Sequence, residues 1–164
     1  MRLSLALMWL GGGLAHTSVA PALSIGGVAP DIPLILTVLL GLSRGPEVGC
    51  LSGFAVGLLQ DVAGGGFVGA QALTKALVGF AAGCMGEWLW VSNPLVQVPG
   101  LVLLTLAEGL GRYWLLSLLH FPAAFGDVML YVVLPQALYN GFLGAAGVLG
   151  ASLIEARRSG SLWR

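Results

Sequence analysis

The feature of this sequence that most limits its fold is a run of small residues at every fourth position, Gly49, Gly53 and Gly57, which ends at Asp61. The residues between them are mostly apolar. In a lipid bilayer, helices associate by close approach of their backbones, and small residues at i, i+4 and i+8 permit that approach. The pattern predicts a transmembrane helix whose glycine face packs on another helix, either of this chain or of a partner, and whose end is acidic.

The composition places the whole chain in a membrane. Hydrophobic residues make up 57% and charged residues 9% of the sequence, which leaves too little polar surface to cover a water-soluble domain. Seven basic and seven acidic side chains balance, so we expect no cationic surface for nucleic acid. Cys50 and Cys84 lack the spacing of a metal or redox site and are interpreted as small buried apolar side chains.

Apolar runs separated by glycine, proline and polar residues predict an all-α membrane protein with six transmembrane helices in a single domain, residues 1–164. The second and third runs are short. About 14 residues reach only some 21 Å against a hydrocarbon core of about 30 Å, so the bilayer would thin locally or the caps would be extended. The predicted spans are approximately 3–20, 31–43, 47–60, 70–90, 95–119 and 127–154.

The basic residues outside these spans predict the orientation. All of them lie on one side of an even-numbered topology, so the positive-inside rule places both termini in the cytoplasm. The alternative for residues 1–20 is a cleavable signal peptide, although Pro21 would follow the cut and disfavour cleavage. The basic residues concerned are Arg2, Arg44, Arg157, Arg158 and Arg164.

Some charged residues lie well inside the predicted spans, where an unpaired charge costs at least about 2.5–3.5 kcal/mol. Glu108 and Arg112 lie at i and i+4 in the fifth span, and we expect them to pair with each other. Lys75, early in the fourth span, needs a carboxylate or a ring of carbonyls. Either Asp61 or Glu108 could supply that carboxylate.

Two amides, Gln136 and Asn140, lie on one face of the sixth span. Three interpretations of all these polar residues stay open. They form a hydrogen-bond network that fixes helix packing, they line a polar cavity for a ligand or a proton path, or they contact a partner helix.

No motif in the sequence predicts catalysis, a cofactor or a metal. Gly64, Gly66 and Gly69 match the spacing of a dinucleotide fingerprint, but that motif works between a strand and a helix, and here it follows a membrane helix. A tight turn explains these glycines better. His16 and His120 have no partner at the spacing of a zinc site or of a nucleophile–base pair.

Four segments carry a resemblance to a known family. The sequence resembles the MreD family, the small membrane component of the bacterial rod-shape machinery, over roughly residues 28–85. The signature is a glycine-rich span of the form G-F-x-x-G-L-x-x-D followed by a glycine turn. The Glu108/Arg112 pair departs from the family pattern. The matching segments are residues 30–35 (PDIPLI), 44–46 (RGP), 53–61 (GFAVGLLQD) and 69–73 (GAQAL).

The resemblance implies a six-span protein of the bacterial inner membrane without enzymatic activity. It would bind the single-span protein MreC and, through it, support MreB filaments, the glycosyltransferase RodA and a class B penicillin-binding protein. The family's fold is similar to that of the S components of energy-coupling-factor transporters. The alternative function is therefore capture of a small vitamin, which the aromatic-poor outer connections of this sequence disfavour.

Overall fold

The computed structural model describes residues 24, 27–65, 67–88, 94–120 and 123–158. The first predicted span and residues 159–164 lie outside the described residues. The described elements are helices, as predicted. They are α1 (Ile32–Arg44), α2 (Pro46–Gly64), α3 (Ala70–Trp88), α4 (Pro94–Leu118), α5 (Phe125–Val128), a π-helical turn (Met129–Val133) and α6 (Leu134–Arg158).

Helix α1 is short and deeply buried. The side chain of Asp31 caps it by accepting the Leu34 N–H at 3.0 Å, and Pro33 lies in the first turn, where no N–H is needed. Its 13 residues reach about 20 Å. Leu34 and Val38 are fully buried, so much of α1 contacts other helices rather than lipid.

Helix α2 is longer than the sequence predicted. It begins at Pro46, directly after Gly45, which adopts a φ of +92° in the one-residue connection to α1. It continues past the predicted end at residue 60 to Gly64 and so has 19 residues, about 28 Å. Gly65 ends it in the left-handed conformation, with a φ of +63°.

The chain from Phe125 to Arg158 is helical throughout, although Pro135 lies within it. Proline has no N–H and its ring displaces the carbonyl four residues earlier. Immediately before this proline, the Leu134 N–H bonds to the carbonyl of Met129, five residues back. The π-helical turn accommodates the ring at this point and keeps the helix continuous.

Helix α3 occupies the centre of the described fold, because α1, α2 and α4 all pack on it, while α6 packs mainly on α4. Two described stretches, Gln97–Leu118 and Phe125–Gly147, are long and apolar enough to cross a membrane, and α1 is a shorter apolar helix. An apolar core joins α1, α3 and α4. It consists of Leu34, Ile35, Val38, Val78, Ala82, Leu101 and Leu104.

Candidate functional site: a buried polar centre and the cleft beside it

The glycines of α2 lie against the backbone of α3. A Cβ at Gly53 would overlap the carbonyl of Lys75, and a Cβ at Gly49 would overlap the carbonyl of Gly79. Gly57 is equally close to α3. The sequence left open which helix this face meets, and the structure places the contact inside the chain. We call it the glycine seam: Gly49, Gly53, Gly57 and Gly79.

Asp61, at the end of the glycine stripe, caps the following helix. Its carboxylate accepts the backbone N–H groups of Gly69, Gln71 and Ala72 at 2.8, 3.1 and 3.1 Å. These donors lie at the amino end of α3, where unpaired N–H groups and the helix dipole favour a negative charge. The sequence proposed Asp61 as a partner for Lys75. Asp61 lies instead at the α2–α3 connection, where its carboxylate binds backbone N–H groups.

Lys75 is fully buried and is surrounded by acceptors. Its Nζ lies 2.8 Å from Asp31 Oδ2 and 3.5 Å from Glu108 Oε1, and donates to Gln71 Oε1 at 3.1 Å. Glu108 was one of the two predicted carboxylates. Asp31, the nearer one, was missed. The signal for it was an acidic residue directly before an apolar helix, which we read only as the start of a span.

Glu108 is shared between two cations. Besides Lys75, it lies near Arg112, whose Nη2 is 4.0 Å from Glu108 Oε2. The hydroxyl of Thr74 donates to Glu108 Oε1 at 3.1 Å. Glu108 and Arg112 thus lie within ion-pair distance, as their i, i+4 spacing predicts, and Lys75 adds a closer cation from a different helix. Arg112 retains some solvent exposure, 22% of its side chain, whereas Glu108 is buried.

The two amides of the last helix fix the segment before α1. Asn140 is fully buried, accepts the Asp31 N–H at 2.9 Å and donates to the Thr105 hydroxyl at 3.4 Å. Gln136 donates to the carbonyl of Ala29 at 3.2 Å. Both thus hold residues 29–31 against α6. We define the polar centre as Asp31, Lys75, Glu108 and Asn140.

A cleft of about 190 Å³ adjoins the polar centre. It lies where α2 ends and α3 begins, beside the last turns of α4. Gln60 connects the cleft to the polar centre, because its Nε2 donates to Asp31 Oδ1 at 3.4 Å. The polar residues that line the cleft are Gln60, Asp61, Gln71 and Arg112, and apolar residues include Phe67 and Leu116.

This arrangement holds helices together. Within the described residues, no group of three or more His, Cys, Asp or Glu is placed to hold a metal ion. Cys50 and Cys84 are free thiols. The charged groups of the polar centre pair with one another between the start of α1, α3 and α4, and removing one would leave another buried without its counter-charge.

The family model described as rod shape-determining protein MreD matches residues 2–149. The chain belongs to the MreD family. The match covers most of the sequence, including α1 to α5, the π-helical turn and the first half of α6. No curated protein and no solved structure matches the chain. Membership of the MreD family makes the protein a membrane protein with a role in determining rod shape.

Within this MreD-family chain, the resemblance noted over residues 28–85 corresponds to α1, α2, most of α3 and their connections. The signature residues now have physical roles. The glycines let α2 approach α3, and the terminal Asp61 caps α3. Asp31, within the first matching segment, caps α1 and binds Lys75.

Proposed function

We propose that this protein is a non-enzymatic scaffold of the bacterial inner membrane that binds MreC and supports peptidoglycan elongation. Through MreC it would act on the elongation complex of MreB, RodA and a class B penicillin-binding protein. The observation that carries the proposal is the MreD family match over residues 2–149.

The internal packing is consistent with a scaffold. The glycine seam and the polar centre place their small and charged residues in contacts within the chain. The outer faces are apolar by contrast. Trp114 and Leu118 of α4 and Leu138 and Phe142 of α6 are among the most exposed hydrophobic residues of the chain. Such faces suit lipid or a partner's transmembrane helix.

We further propose six spans with both termini in the cytoplasm, and a fold similar to that of the S components. Helix α1 ends at Arg44, the basic residue of its connection to α2, and the connection at the other end of α2 contains no Lys or Arg. A reporter fused at residue 25 or 124 should therefore read as external. Accessibility of the tail at Arg164 from outside intact cells would contradict this topology.

Co-purification tests the scaffold role directly. The tagged full-length chain is co-expressed with MreC from the same organism, solubilised in mild detergent and isolated through its tag. We expect stoichiometric recovery of MreC and rounding of rod-shaped cells on depletion of the chain. An unrelated tagged six-span protein sets the background. Recovery of MreC no greater than that background would refute the proposal.

The alternative function, vitamin capture, can be tested with the same purified protein. Riboflavin, thiamine and biotin are titrated against the purified chain, and we expect no saturable binding of any of them. Tight stoichiometric binding of one vitamin, or growth that depends on an external vitamin after depletion, would favour a transporter subunit over the scaffold.

A further inference from the structure

The cleft at the α2–α3 end of the bundle contains two opposite charges that do not pair with each other. Among the described residues, Arg112 has an ion-pair contact only with Glu108, at 4.0 Å, and the recorded partners of Asp61 are backbone N–H groups. A separation of 4.0 Å is beyond hydrogen-bonding distance. The guanidinium therefore keeps donors for another group.

Asp61 keeps some capacity to accept as well. A carboxylate offers about four acceptor positions, and three backbone N–H groups occupy three of them. The carboxylate of Asp61 lines the same cleft as the guanidinium of Arg112. A simple anion bound to Arg112 would thus face a like charge across the cleft, and a simple cation bound near Asp61 would face the guanidinium.

Gln60 adds an acceptor that the protein does not use. Its side chain is nearly buried, with 5% of the residue exposed, and its Nε2 donates to Asp31, which fixes the orientation of the amide. Its Oε1 is buried and has no hydrogen-bond partner among the described residues. Gln60 lines the cleft, and a bound donor that reached this oxygen would give it a partner that the described residues do not provide.

We propose that the cleft binds a zwitterionic ligand of the phosphoethanolamine class. The ammonium group donates to Gln60 Oε1 and to the remaining acceptor position of Asp61, and the phosphate accepts from the guanidinium of Arg112. The volume of about 190 Å³ equals about six water molecules, enough for a small headgroup. This inference is independent of MreC binding.

Two sources share this chemistry, a soluble phosphoethanolamine compound and the headgroup of an ethanolamine phospholipid. The cleft lies at the end of the helices, where lipid headgroups lie in a bilayer. Phe67, which is 47% exposed, and Leu116 border the polar residues and could contact the apolar part of a lipid. The two sources are separated by experiment.

The first experiment follows thermal unfolding of the purified full chain in detergent. O-phosphoethanolamine, phosphocholine, inorganic phosphate and ethanolamine are titrated separately. We expect a saturable rise in Tm with phosphoethanolamine and at least about tenfold weaker binding of phosphocholine, whose quaternary ammonium has no N–H to donate. An equal effect of inorganic phosphate alone would overturn the proposal.

The second experiment identifies the source. The chain is extracted from vesicles of phosphatidylethanolamine with phosphatidylglycerol, or of phosphatidylcholine with phosphatidylglycerol, and analysed by native mass spectrometry. Selective retention of phosphatidylethanolamine supports the headgroup. Binding of soluble phosphoethanolamine without lipid retention supports the soluble source. If phosphoethanolamine produces no Tm shift and phosphatidylethanolamine is not retained, the proposed site is refuted.

Variants locate the binding in this cleft. Arg112→Gln and Gln60→Met should each weaken phosphoethanolamine binding by about tenfold or more. Arg44→Gln removes the same charge at the opposite end of α2 and should leave it unchanged. If Gln60→Met does not fold, Leu116→Trp fills the cleft from its rim and should block binding. Unchanged affinity in the folded variants would refute this site, whether or not MreC co-purifies.

Discussion

The glycine seam and the polar centre hold the same helix, α3, by opposite means. At the seam, the backbones of α2 and α3 are in contact because the facing residues are glycines, which have no side chain. At the polar centre, Asp31 at the start of α1 and Glu108 of α4 reach Lys75 of α3, and Asn140 of α6 binds the backbone of Asp31. Neither contact relies on the hydrophobic effect, which gives helices little reason to associate in lipid.

The two regions meet at Lys75. Its backbone carbonyl lies against Gly53 in the seam, and its Nζ lies between Asp31 and Glu108 in the polar centre. Different kinds of substitution should therefore destabilise the two regions. An added atom should damage the seam, and a removed atom should damage the polar centre. Four substitutions test this difference.

The largest effect is expected from Lys75→Met. It leaves the carboxylates of Asp31 and Glu108 buried without their shared cation, which should cost about 3–5 kcal/mol of unfolding free energy. The measurement is an SDS titration in mixed micelles followed by circular dichroism. The double variant with Asp31→Asn should lose less than the sum of the two singles. A loss below about 1 kcal/mol would contradict the ion cluster.

Gly53→Ala tests the seam with a single methyl group. Because the new Cβ meets the carbonyl of Lys75, we expect a loss of about 1–3 kcal/mol by the same titration. Gly64→Ala is the matched control in the same helix, since nothing lies within 4 Å of its Cβ position. The control should be neutral or stabilising by up to about 1 kcal/mol. Equal effects at both positions would refute the seam.

Asp61→Ala removes the cap of α3 without disturbing either set of helix contacts. The loss of three acceptor contacts should cost about 0.5–2 kcal/mol. Asp127→Ala serves as the comparison, since Asp127 lies exposed in the first turn of the short helix α5. Amide hydrogen exchange should show faster exchange at the start of α3 in Asp61→Ala alone. Unchanged exchange there would argue against the cap.

The smallest effect is expected from Arg112→Gln. Its partly exposed guanidinium lies 4.0 Å from Glu108, so its removal should cost less than about 1 kcal/mol. In the double variant with Glu108→Gln, the loss of unfolding free energy should equal the sum of the two single losses to within about 0.5 kcal/mol. A coupling energy above about 1 kcal/mol would mean that the Glu108–Arg112 ion pair is stronger than its 4.0 Å separation implies.

The sequence predicted the local features of this fold well, because they depend on residues close together in the chain. The glycine stripe predicted a packed helix face, and the Gly45–Pro46 pair predicted a tight connection. The length of α2 was underestimated. Its last residues, Asp61 to Gly64, precede a run of glycines that suggests a turn, but in the structure they continue the helix.

The partners of the buried charges could not be predicted in the same way. Asp31 and Lys75 lie 44 positions apart, and the order of helices in the bundle decides which carboxylate reaches the lysine. Spacing along one helix favoured Glu108 with Arg112, but the contact across helices is shorter. The cleft depends on three helix ends, and no local pattern marks such a site.

The one-residue connection at Gly45 has a consequence for biosynthesis. Helix α1 is short and carries an acidic residue at its start, so it is a poor candidate to partition alone from the translocon into lipid. Because Gly45 joins it directly to α2, we expect the two to enter as a helical hairpin. The hairpin would then stay next to the translocon until α3 emerges with Lys75, which makes synthesis of α3 the step that commits Asp31 to the bilayer.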